Sequence, residues 1–94
     1  MEKEINLLLQ QAVENEYLVE LRVEDMPNMT VDFIIKTKIK KAILEERTKG
    51  LCIEAPDLNL MMTYETLKMG TQSATHNKFY VESSGATLTI TINM

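Results

Sequence analysis

Tryptophan is missing from this 94-residue chain, and aromatic residues in all make up only 5% of it. A core of ordinary density must then be filled by aliphatic side chains and by the seven methionines. There is a single cysteine, Cys52, so no internal disulfide can form and the fold needs no oxidising compartment. One cysteine and one histidine, His76, fall short of the usual structural zinc set. The three glycines, Gly50, Gly70 and Gly85, are too scattered for a phosphate loop, and neither GxGxxG nor GxxxxGK occurs. The nucleophile pattern GxSxG is absent as well. No run approaches the ~18 apolar residues that span a bilayer. The opening "MEKEINLLLQQ" is too acidic, and its apolar run too short, for a secretory signal. The expectation from these absences is a cytoplasmic protein with no cofactor, no metal and no membrane contact.

What is present suits one small domain, residues 1–94. Hydrophobic residues are 45% and charged residues 26% of the chain, a globular rather than a disordered composition. Residues 2–16 predict an amphipathic helix, because Ile5, Leu8, Leu9, Ala12 and Val13 fall on one face and Glu2 and Glu4 sit where the helix dipole favours anions. Leu7 lies off that stripe. From Tyr17 onward the period changes to two. Tyr17, Val19, Leu21 and Val23 alternate with Leu18, Glu20, Arg22 and Glu24, and after the turn around Pro27 and Asn28 the residues Val31 to Lys40 alternate again. Residues 36–49 also fit a helix, with Ile35, Ile39, Ala42 and Ile43 on one side. Strand is favoured, because the lysines would lie at the helix N-terminus and Glu45 and Glu46 toward its C-terminus, both against the dipole. The strand reading makes "KAILEE" and "LCIEA" a hairpin through the turn "RTKG", with Gly50 at the bend. A further strand spans Leu58 to Tyr64. Residues 70–77, "GTQSATHN", read as a polar loop, and "KFYVESSGATLTITINM" as a terminal hairpin. The expected fold is α+β, with an N-terminal helix packed on a mainly antiparallel, curled meander of five to seven strands.

The net charge of −4 is unevenly spread. Residues 1–25 hold Glu2, Glu4, Glu14, Glu16, Glu20, Glu24 and Asp25 against Lys3 and Arg22, net −5. Residues 30–49 hold Lys36, Lys38, Lys40, Lys41, Arg47 and Lys49 against Asp32, Glu45 and Glu46, net +3. On a strand, Lys36, Lys38 and Lys40 would share one face at a spacing of about 6.6 Å, broadly that of phosphates along one DNA strand. Nucleic-acid binding through Lys36 to Lys41 and Arg47 is therefore an alternative reading. Against it, no aromatic residues interleave the ridge to stack bases, and the rest of the molecule is acidic. Edge protection, or the steering of an acidic protein partner, accounts for the lysines better.

Other chemistry-bearing residues support less. His76 lies in a stretch that offers only short polar neighbours as orienting partners. Cys52, between apolar neighbours, reads as a small buried hydrophobe. A ligand site or enzyme built on His76 and Cys52, with Tyr64, is a second alternative that needs the fold to bring them together. Thr87, Thr89 and Thr91 form one row on a half-exposed strand. The methionines are more informative. Met26 and Met29 flank a turn, Met61 falls on the face opposite Leu60 and Met62, and Leu18 and Ile34 fall on nominally outer faces. Methionine is common at adaptable protein-binding surfaces. The candidate contact set is Met26, Met29, Ile34, Lys36, Lys38, Lys40 and Met61.

Small size, acidity, scarce aromatics and absent motifs together resemble many small phage-encoded or mobile-element proteins that inhibit host machinery. The resemblance is one of class and rests on no particular residues. The leading expectation is a small non-enzymatic protein-binding module that presents a sheet face or edge to a partner, a second copy of itself included.

Overall fold

The computed structural model describes the backbone of residues 1–25 and 30–94, and the side chains of residues 1–24 and 33–94. Met26 and Met29 lie outside the described residues. The chain begins with α1 (Glu2–Glu14), which buries Ile5, Leu9 and Ala12. These three fall at i, i+4 and i+7, so they stack on one side of the helix. Leu7, off that stripe, is 63% exposed. The helix ends in a left-handed turn. Glu16 takes φ 54°, its N–H donates to the Val13 carbonyl at 3.4 Å, and the Tyr17 N–H donates to the Ala12 carbonyl at 3.0 Å. This pair of bonds satisfies carbonyls that the last helical turn would otherwise leave open.

Eight strands follow: β1 (Leu18–Asp25), β2 (Thr30–Lys38), β3 (Lys41–Glu45), β4 (Gly50–Ala55), β5 (Leu58–Thr63), β6 (Thr66–Gln72), β7 (His76–Ser83) and β8 (Ala86–Asn93). They form a five-stranded sheet in the order β2-β1-β8-β7-β6 and a three-stranded sheet in the order β3-β4-β5. Every pairing is antiparallel. The chain changes sheet at two corners, Ile39–Lys40 between β2 and β3 and Tyr64–Glu65 between β5 and β6.

The fold is thus a single helix on an antiparallel meander, with one strand more than expected. The added strand is β6, in residues 66–69 and the front of the segment read as a loop. Leu67 and Met69 turn inward from it against β7. Its pairing slips between Met69 and Gln72, where Gly70 and Thr71 form an irregularity. Turn-forming residues at such a slip imitate a loop in sequence. The loop proper is Ser73–Thr75. No helix forms in residues 36–49. The hairpin of β3 and β4 buries Ala42, Leu44, Leu51, Ile53 and Ala55 together, and this burial of several kcal/mol outweighs helix preferences of tenths of a kcal/mol. The bend of that hairpin is not at Gly50, which opens β4. Lys49 takes the left-handed conformation, at φ 52°.

Both sheets and α1 share one core. Ile5 and Leu9 meet Val19, Leu21, Phe79, Val81, Leu88, Ile90 and Ile92 from the larger sheet and Leu44, Leu51 and Ile53 from the smaller. Phe79 is the largest of the core's fully buried side chains. Among the described residues no helix is long and apolar enough to cross a membrane.

The strand edges are treated differently, and this positions the candidate site. The outer edge of β3 is covered by α1: Gln10 Nε2 donates to the Ala42 carbonyl at 2.9 Å, and the Asn6 amide bonds both backbone groups of Leu44. The edge strand β2 carries the exposed Lys36 and Lys38, and β6 carries Lys68 and the slip at Gly70–Thr71. Lysines and irregularities discourage edge-to-edge pairing. The edge of β5 has neither.

Candidate docking surface

The inner face of the three-stranded sheet belongs to the core, so its alternate residues face outward. Cross-strand pairing sorts them into rows. Ile43, Cys52 and Met61 are mutual partners across β3, β4 and β5. On one side of this row stand Lys41, Glu54 and Asn59, and on the other Glu45, Gly50 and Thr63. The middle row is apolar and open: Met61 is 80% exposed and Ile43 46%, and the Cys52 thiol side is exposed too. Two hollows adjoin it. One, of about 540 Å³, is lined by Ile43, Thr48, Cys52, Met61 and Thr63 among others. The other, of about 180 Å³, lies between Cys52, Glu54, Asn59 and Met61. Both share Cys52 and Met61, so the face is an open trough with a methionine ridge.

The residues singled out in the sequence do not gather in one place. Met61 is on this face. Ile34, 49% exposed, and Lys36 and Lys38 project from the outer side of β2 on the other sheet. Lys40 does not continue their row. It sits at the corner, where its N–H donates to the Glu54 carbonyl at 2.8 Å, and Lys41 belongs to the outer face of the smaller sheet. The expected one-sided lysine ridge is therefore broken by the change of sheet. Lys36 is paired across the strands with Glu20, and Lys41 with Glu54. A continuous track for phosphates is not formed.

Cys52 is exposed, not buried, because the inward parity of β4 is taken by Leu51 and Ile53. His76 opens β7 on the outer face of the five-stranded sheet, with Nδ1 3.2 Å from Ser73 Oγ and 3.3 Å from Thr75 Oγ1. The two lie on outer faces of different sheets and form no dyad. Tyr64, at the second corner, is buried, and its hydroxyl makes no hydrogen bond of acceptable geometry. Its pKa is raised, first by burial and then by the nearby carboxylates of Glu2 and Glu46. Thr87, Thr89 and Thr91 are not a bare threonine face. Thr89 is buried between its cross-strand neighbours Arg22 and Tyr80. Among the described residues no three His, Cys, Asp or Glu side chains come together as a metal-binding group.

Ile43 and Cys52 were not in the contact set expected from the sequence. The usable signal was the hairpin register. Pairing "KAILE" with "GLCIEA" through a four-residue turn sets Ile43 opposite Cys52, and Met61 then extends the row. Comparison with protein-family models, with curated proteins and with solved structures found no match for the chain.

Proposed function

We propose that this chain is a non-enzymatic docking protein that binds a protein partner through the outer face of its three-stranded sheet. The observation that carries this reading is the exposed row Ile43–Cys52–Met61. Contiguous apolar surface beside a hollow marks interaction sites more often than idle surface. Burying one such aliphatic or methionine side chain contributes about 1.5–3 kcal/mol, so a few of them suffice as the centre of a contact. The polar rows on either side supply the rim that interfaces of this kind have. The lysines of β2 lie on the other sheet, where they guard an edge. A small acidic protein with such a face suits the blocking of another protein's surface, as small phage and mobile-element inhibitors do.

The test is affinity capture from the native cell with the wild-type protein and with Ile43→Glu/Met61→Glu. Both positions are outside the core, so circular dichroism should show an intact fold. Proteins retained by the wild type and lost by the variant are the expected result. Identical capture by the two would remove this face from consideration. Light scattering of both proteins reports whether a second copy is among the partners.

A further inference from the structure

We propose that the open edge of β5 accepts an extended segment of a different protein as a fourth strand, and that this segment is uncharged along its middle with lysine or arginine at its ends. The inference rests on the docking reading above and names the occupant.

Backbone direction comes first. Ala42 and Leu44 turn their polar groups toward α1. In an antiparallel ladder the direction alternates residue by residue and strand by strand. Leu51 and Ile53 of β4 therefore face β5, and their partners Met62 and Leu60 face back. The Tyr64 N–H continues this phase by donating to the Lys49 carbonyl at 2.9 Å. Asn59, Met61 and Thr63 are left to direct their N–H and C=O groups away from the sheet. Their side chains occupy the outer face, beside the trough. A strand added there meets a backbone template and a side-chain surface at once, which is how strand addition combines affinity with selectivity.

The edge is also unguarded. The sequence of β5, Leu-Asn-Leu-Met-Met-Thr, has no charge, glycine or proline, and its pairing with β4 runs without a slip. Each other edge described above is covered, lysine-bearing or irregular. An open edge in a protein that protects its others calls for an occupant.

Charge selects which one. Exposed acids bracket the strand, Asp57 just before it and Glu65 just after it, whereas Glu54 on β4 stands opposite Lys41. Glu82, whose carbonyl accepts the Glu65 N–H at 2.8 Å, is already paired with Lys68 at 3.1 Å, so Glu65 is the acid that counts at that end. Lys49 is on the β4 side of the strand, away from the open side. A second copy is the poorer occupant. Two-fold pairing that uses all three outward-facing residues centres on Met61 and sets Asp57 of each copy against Glu65 of the other. Basic ends on a foreign segment turn the same four positions from repulsive to attractive.

The probes are two synthetic peptides with one alternating Thr-Val core, flanked at both ends by Lys-Lys in one and Glu-Glu in the other. Binding is followed by NMR titration and amide hydrogen exchange of the full chain. The Lys-flanked peptide should slow exchange at Asn59, Met61 and Thr63, bind at least tenfold tighter than the Glu-flanked one, and weaken as salt is raised. Asp57→Lys/Glu65→Lys should reverse the preference. Met61→Pro removes an N–H from the open side but leaves β4 pairing intact, and should abolish binding with the rest of the spectrum unchanged. Absence of protection at millimolar peptide, equal binding of both peptides, or undiminished binding to Met61→Pro would each overturn strand addition. A wild-type dimer that Met61→Pro dissociates would overturn the foreign occupant in favour of a second copy. Loss of captured proteins in the Ile43/Met61 variant without amide protection would leave the docking face standing and strand addition refuted.

Discussion

Asn6 holds Leu44 by both of its backbone groups. Asn6 Nδ2 donates to the Leu44 carbonyl at 2.7 Å, and the Leu44 N–H donates to Asn6 Oδ1 at 2.9 Å. A side-chain amide is a peptide group without a chain, so it stands in for one residue of an absent neighbouring strand. Asn6→Ala removes two partly buried hydrogen bonds and should cost about 1–3 kcal/mol. For a domain of this size that lowers Tm by about 4–8 °C per kcal/mol, which differential scanning calorimetry reads directly. Asn6→Asp keeps the acceptor but sets a carboxylate against the Leu44 carbonyl, so it should be no milder.

The end of α1 carries removable strain. Glu16 sits at φ 54°, a conformation that glycine adopts without the steric conflict of a Cβ. Glu16→Gly should raise stability by a few tenths to about 1 kcal/mol, the relief being partly offset by the freer unfolded chain. Glu16→Ala, which retains the Cβ, should gain nothing. Urea midpoints at unchanged slope distinguish the two.

Tyr64 should give the chain a signature in alkali. Burial, with Glu2 and Glu46 adding to it, raises its folded-state pKa above the ordinary tyrosine value. The unfolded chain therefore loses this proton first as pH rises. The contribution is fully present below about pH 10 and declines as the pH climbs through the folded-state value. Tyr64→Phe deletes that titration and also an unpaired buried hydroxyl. The variant should be as stable as the wild type at neutral pH, or up to about 1 kcal/mol more so, and its advantage should widen above pH 10. Chemical denaturation of both proteins across pH 8–11 checks this.

Gly70 is required by close approach. A Cβ there would lie 2.9 Å from Tyr80 Cε2 and 3.1 Å from the Lys78 carbonyl oxygen. The ring can swing, but the carbonyl belongs to the paired strand β7 and cannot. Gly70→Ala should cost about 1–3 kcal/mol, as overpacking does. Combining it with Tyr80→Leu should recover part of the loss, because the contacts with Lys78 remain. Thermal unfolding of the single and double variants measures the coupling.

Much of the architecture could be read from period alone. The stripe of Ile5, Leu9 and Ala12 and the alternation of Val19 with Leu21, and of Leu88 with Ile90 and Ile92, mark the buried faces that the fold uses. Two features were not legible, for physical reasons. Strand β6 offers only Leu67 and Met69 as inward apolar residues before its pairing slips, too short a run to show a period. The apolar row of the proposed docking face was hidden by apolar neighbours of the opposite parity. In "AIL" and "LCI" either set could face inward, and only the arrival of Ile5 and Leu9 over β3 decides that Leu44 and Leu51 go in while Ile43 and Cys52 stay out. Met61 was found because its neighbours Leu60 and Met62 share the parity of Leu58 and left it alone. The lysine row failed as a ridge because the corner at Ile39–Lys40, which divides it, has no glycine or proline to announce it.

The pairing of β1 with β8 has a consequence for how the molecule is made. These two strands sit side by side inside the larger sheet, yet Asp25 and its partner Ala86 are 61 positions apart, and Leu18 and Asn93 are 75 apart. During synthesis β2 follows β1 at once and can pair with it, but the other edge of β1 stays open until β8 arrives. Contacts so distant along the chain slow folding and prolong exposure to aggregation. The local hairpin of β3 and β4, with α1 laid along it by Asn6 and Gln10, is the piece that can assemble first and shelter the rest.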